Sequence, residues 1–202
     1  MCPVWKVRAA MGYLKGLQPY LEKNYERSIF DAAAQSRKPW ELYIHGHRVI
    51  VCKIYKNLKY DILSSQPGGG EMHLSKLQIK LLYPLEVASR VRGMIRIDEE
   101  IRSMNLDPIL AAGARRFVKN KSLFPLMMER EVVFFTLLEG EVIRGIIAGF
   151  SRYDITVHLK GGVPIAILRH AIYDLKNRRG RSFLKDFQEE QRDWEKSDLY
   201  VP

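Results

Sequence analysis

Cysteine is nearly absent. The 202 residues include only Cys2 and Cys52. Two cysteines cannot build a disulfide framework, and neither has a partner at metal-ligand spacing, so a reducing cytoplasm is the expected setting. Long apolar runs are also missing: nothing approaches the roughly 20 residues of a membrane span, and no membrane role is expected. The start, MCPVWKVRAAMGYLKG, has no long apolar core and no small-residue cleavage site, so no signal peptide is read there. Gly68-Gly69-Gly70 lacks the Lys and Ser/Thr of a phosphate loop and reads as a turn. His45-Gly46-His47 offers two imidazoles with a turn between them and no third ligand, so no metal is expected. No nucleophile–base pair is legible. The chain is not expected to be an enzyme or to need a cofactor. Acidic residues are in deficit, 23 against 33 Lys and Arg, for a net charge of +10. That balance favours an anionic partner such as nucleic acid.

What is present is a well-supplied core, with 47% apolar residues. Residues 17–37 predict a helix: Pro19 suits the first turn, Leu21, Tyr25, Ile29 and Phe30 share a face, and Pro39 stops the pattern. The period then becomes strand-like in WELYIHG, HRVIVCKIY and KYDIL, with Gly46 at a tight turn. SSQPGGGE (64–71) is a loop by composition, and MHLSKLQIKLLYP (72–84) alternates up to its proline. In 85–118, Val87, Val91, Met94, Ile101 and Met104 fall near helical spacing, with Asp98-Glu99-Glu100 opening a solvated helix. Pro108 separates them from ILAAGARRFV, and the whole reads as a helical connector. A short helix candidate, KSLFPLMMERE, then leads into the strands VVFFTLL, EVIRGIIAGF, YDITVHL and VPIAILR, with turns at Gly140 and Gly161-Gly162. The tail RSFLKDFQEEQRDWEKS is an amphipathic helix candidate.

The two halves repeat. KYDI at 59–62 returns as RYDI at 152–155, 93 residues on (152 − 59), and the turn glycines Gly46 and Gly140 lie 94 apart (140 − 46). Each half runs helix, then about five short strands. The expected fold is mainly β with helices: two small five-stranded antiparallel barrels, each preceded by a helix and joined by the helical connector. One stretch resists this reading. ILRHAIYDL (167–175) is apolar except for Arg169 and His170, side by side in its middle.

LMMEREVVFFTLLEGEVIRG and KGGVPIAILRHAIY align without a gap to the Hfq branch of the Sm-like RNA-binding family, whose Lys-His pair is followed by Ala-Ile. RKPWELYIHG in the first half resembles a more diverged copy. The resemblance implies an N-terminal extension (1–26), a diverged Sm-like (SH3-like) repeat (27–84), the connector (85–118), a second repeat closest to Hfq (119–178) and a tail (179–202). It further implies single-stranded RNA as partner and a ring. Three chains would supply the six barrels of a homo-oligomeric pseudo-hexamer.

By position, Tyr153 takes the family's base-stacking aromatic on the pore face, and Arg169 and His170 take the Lys-His pair. Arg152 stands where the family has glutamine, and Ser151 where it has aspartate, which puts uridine preference in question. In the first half Lys59 and Tyr60 match Arg152 and Tyr153, while Ser75-Lys76 replaces the Arg-His pair, leaving Lys76 to meet phosphate. On the opposite face, where the family binds purine-rich RNA, Tyr43 and Arg48 fit; Tyr43 reads equally well as a plain strand aromatic. Of the family's rim arginines only Arg37 and Arg130 remain, with Met127 and Met128 in the other places. The expected function is that of an Hfq-type RNA-binding protein, a post-transcriptional regulator or RNA chaperone. The competing readings are a protein-interaction scaffold on the same barrels with RNA binding lost, and DNA binding by charge alone.

Overall fold

A computed structural model describes residues 14–184. The fold is mainly β with short helices. Among the described residues, eleven strands form one antiparallel sheet. Its strands are β1 (Trp40–Ile44), β2 (Arg48–Asn57), β3 (Asp61–Ser65), β4 (Glu71–Ser75), β5 (Ile79–Pro84), β6 (Arg96–Ile97), β7 (Val132–Leu137), β8 (Glu141–Phe150), β9 (Asp154–His158), β10 (Pro164–Leu168) and β11 (Ile172–Asn177). The order β11-β7-β8-β9-β10-β5-β1-β2-β3-β4 holds two five-strand sets with the same connectivity, and β6 is added on β8. Where two separate tandem barrels were expected, the described residues form one continuous sheet. The sets meet at a seam where β10 pairs with β5, Ala166 opposite Leu82 and Ile167 opposite Leu81.

The seam explains the near-continuous apolar runs there. Side chains alternate across a strand, so each face of a seam strand serves a different core. Leu81, Tyr83, Ile165 and Ile167 join the cluster of the second set. Leu82, Ala166 and Leu168 join that of the first, as does Ile79 beyond the irregularity that shifts the β1–β5 register between Leu81 and Ile79.

The expected helix at 17–37 is two helices, α1 (Leu17–Asn24) and α2 (Ile29–Ser36). Ser28 breaks the run: its side chain accepts the Phe30 N–H and caps α2, a role serine fills better than it continues a helix. α2 buries Phe30 and Ala33 against the first set. α1 crosses to the second set, where the Tyr20 hydroxyl donates to Phe150 O at 2.9 Å. α2 is followed by Arg37 and the helix α5 (Asn120–Met128) by Arg130, both left-handed at φ 53. Their spacing of 93 (130 − 37) matches the KYDI/RYDI offset.

The connector is less helical than its apolar spacing predicts. α3 (Ala88–Arg92) and α4 (Glu99–Ser103) are single turns on either side of β6. Asp98 caps α4 as expected, accepting from Glu100 N and Ile101 N. ILAAGARRFV is not a helix; it runs open except for one 3-10 turn at Ala112–Ala114. Gly113 and four flanking alanine or arginine side chains supply no apolar stripe to dock. No described helix is long and apolar enough to cross a membrane. The amphipathic helix expected in the tail lies largely outside the described residues.

Candidate nucleic-acid interface

ILRHAIYDL does bend. A 3-10 turn at Arg169–Ala171 separates β10 from β11, and a second at Lys76–Gln78 separates β4 from β5. The turns are 93 residues apart (169 − 76), so Lys76 matches Arg169 and Leu77 matches His170. The expected pairing of Ser75-Lys76 with Arg169-His170 was one residue out of register. The two sites share a backbone contact. Lys76 N–H donates to Tyr60 O, and Arg169 N–H to Tyr153 O, both at 2.9 Å. Each tyrosine sits between the second and third strands of its set and stands out into solvent, Tyr60 68% and Tyr153 57% exposed. Each carries a cation over its ring, Lys59 at 5.0 Å and Arg152 at 5.4 Å from the centroid.

The polar pair does not project from the turn as expected. Arg169 is only 4% exposed. Its guanidinium lies between the Phe117 and Phe150 rings, at 5.5 and 5.4 Å, and donates through Nη1 to Val118 O at 3.3 Å. Burial pulls its pKa down to about 10, so it keeps its charge at neutral pH. His170 is half-buried and donates from Nε2 to Ile79 O, 2.9 Å away across the seam. That bond fixes the tautomer, because a carbonyl only accepts. Lys76 also turns inward: its ammonium reaches Leu58 O and, at 3.3 Å, Lys59 O. Tyr43 is half-buried at the seam with its ring 6.0 Å from Tyr83, the packing of a strand aromatic. Arg48 is exposed beside His45 O. Arg37 and Arg130 are exposed, and Arg130 borders a groove with Arg144, His158 and Lys160.

The connector supplies residues that periodicity does not single out. Arg115, Arg116 and Phe117 line a pocket of about 450 Å³ with Tyr25, Arg152, Tyr153, Arg169 and His170. Their sequence signal was the Arg-Arg-Phe triplet itself, a basic pair beside an aromatic. No family model, no curated protein and no solved structure matches this chain. What the interface can do follows from its own side chains: two exposed stacking rings, cations over both, and a basic pocket beneath one of them.

His170 also gives the fold a measurable acid response. Burial lowers its pKa to about 4; the Ile79 carbonyl opposes this and Arg115 adds to it. Below its ordinary value of 6.5 the unfolded chain binds a proton that the folded protein refuses. Stability tied to this group is complete above about pH 6.5 and is lost as the pH falls towards 4. Relative to His170→Gln, the wild type should lose about 2–3 kcal/mol between pH 7 and pH 4. Urea titrations of both proteins across that range measure it, and parallel pH profiles would refute it.

Proposed function

We propose that the protein binds single-stranded RNA, and that each five-strand set is an Sm-like barrel of the Hfq type. The observation that carries this reading is the repeated geometry at Tyr60 and Tyr153. In both sets an exposed ring, a cation above it and a shared turn contact recur at one spacing. Exposed aromatics offer a stacking face to any unpaired base, and the surplus of 10 positive charges draws the phosphates. Tyr153→Ala is expected to weaken uridine-rich single strands by about 1–3 kcal/mol and duplex DNA far less. Fluorescence anisotropy with uridine-rich, adenine-rich and duplex probes at several salt concentrations measures it. Equal losses on all probes would leave plain charge attraction, and no binding at low salt would end the nucleic-acid reading.

The sheet's two ends favour a ring. The seam joins the fourth strand of one set to the fifth of the other, and the ends are the remaining fourth and fifth strands, β4 and β11. Joined head to tail between copies in the register of the seam, they would set His73 (166 − 93) opposite Leu175 (82 + 93) of the next copy, once Phe183 N–H and the Ser182 bridge leave that edge of β11. Three chains would close six barrels. Light scattering on the same samples gives the mass, and a stable monomer would exclude the ring.

One observation favours a scaffold instead: Arg169 is covered by the connector, with Phe117 against it. A scaffold would bind no probe in the low-salt assay.

A further inference from the structure

The pocket beneath Tyr153 has an unbalanced charge. Arg115, Arg116, Arg152 and Arg169 all line it, and no carboxylate is among its described lining residues. Arg169 is the most constrained of them. It is 4% exposed, yet its Nε and Nη2 have no hydrogen-bond partner among the described residues. A buried guanidinium with unused donors is costly unless an anion answers it. Asp154 attracts Arg169 by charge without hydrogen-bonding it, its carboxylate accepting from Ile29 N at 3.3 Å, and Glu26 lies 3.8 Å from Arg152.

The wall over this pocket comes from the connector, and it is fastened. Arg115 donates to Ile109 O and Leu110 O at 2.9 and 2.7 Å, closing its own loop. Arg116 donates to Tyr173 O at 3.0 Å and lies 4.0 Å from the centre of that ring. A segment that blocked an RNA site by imitating RNA would be acidic. This one brings two arginines and an aromatic, Phe117, 51% exposed. Its chemistry adds to the site's affinity for anions.

We propose that this pocket holds one nucleotide of a bound strand, with its phosphate at the Arg115 and Arg116 guanidiniums, within the field of the buried Arg169 charge, and its base against Tyr153. The connector is then a wall of the binding site as well as a link between the two strand sets. This rests on the RNA reading, which it sharpens by naming a phosphate-centred pocket that takes a single nucleotide. Phosphate suits it because, among the described residues, four guanidinium charges and no carboxylate line the pocket, and 450 Å³ falls within the range of small-ligand pockets.

The test uses the full chain with uridine monophosphate, uridine and labelled hexauridylate. Uridine monophosphate should compete with hexauridylate, and uridine should do so at least about tenfold less well. The double variant Arg115→Ala/Arg116→Ala should weaken both phosphate ligands about tenfold or more and flatten the salt dependence. Unchanged binding in that variant would overturn the proposal. So would tighter binding, which would make the connector a cover. If the alanine pair disturbs the fold, Arg115→Lys/Arg116→Lys keeps both charges and should stay within about threefold of wild type. Loss of binding in a lysine pair that melts like wild type would also overturn it. If hexauridylate does not bind but uridine monophosphate raises the melting temperature through Arg115 and Arg116, the pocket stands and the RNA reading falls. If hexauridylate binds regardless of both arginines, the RNA reading stands and the pocket falls.

Discussion

Replacing Lys80 by alanine is expected to destabilise the protein by about 3–5 kcal/mol. Lys80 lies on β5 at the seam and is fully buried. Its ammonium contacts the carboxylates of Glu139 and Glu141, which flank the turn between β7 and β8. Glu139 reaches further, accepting from Gly46 N at 2.6 Å and His47 N at 3.1 Å at the turn between β1 and β2. One cation therefore holds together the first hairpins of both strand sets. Burial alone would raise the Glu139 carboxyl; Lys80 and the two backbone N–H groups outweigh it and hold the carboxyl below its ordinary range. Without Lys80, two buried carboxylates share a space with no counter-charge, and one must take up a proton or draw in water. The loss is therefore larger than the worth of the ion pair itself. Denaturant unfolding measures it as a shift in midpoint at unchanged slope. Lys80→Met combined with Glu139→Gln and Glu141→Leu should recover much of the loss, since the uncompensated charges go with it. A loss below about 1 kcal/mol for Lys80→Ala would mean that the seam is wet enough to solvate both acids.

This network also marks where sequence reading stops. The strands of both sets, the turn glycines and the shared offset were all visible, because period-2 patterning and turn chemistry are local. So was the bend at Arg169-His170, once the copies were compared. The seam was not, because pairing β10 with β5 links segments more than 80 residues apart and no local period encodes it. Its trace lies in the differences between the copies. His45 and His47 stand where the second set has Glu139 and Glu141, and Lys80 where it has Tyr173. Those charge exchanges cluster on the internal seam. The candidate site divides in the same way. Tyr60 and Tyr153, on local loops, were legible. Arg115 and Arg116 were not, because an open segment reaches its pocket by single hydrogen bonds, and spacing does not predict those.

Gly140→Ala should cost about 3–4 kcal/mol, and Gly46→Ala only about 1–2 kcal/mol, although the two glycines close equivalent turns. Both have positive φ, +87 and +81, so any side chain meets the same backbone penalty at either position. What differs is the space. A methyl group on Gly46 would find only the Arg48 side chain, 3.7 Å away. On Gly140 it would lie 2.5 Å from Asp98 O and 3.1 Å from Arg102 N, both backbone atoms of the connector. The connector docks there closely: Asp98 N–H donates to Gly140 O at 2.8 Å, and Arg96 and Ile97 extend the sheet beside Val142 and Glu141. The methyl group would push α4 and β6 off this turn. Hydrogen exchange should therefore quicken across 96–103 in Gly140→Ala and stay unchanged there in Gly46→Ala. The loop at 112–117 has its own fastenings, Arg116 on Tyr173 O and Val118 under Arg169. It should keep its protection if the connector is held at two independent points. Equal stability losses at the two glycines would show that backbone conformation alone requires them, and that the connector's grip on the second hairpin is weak.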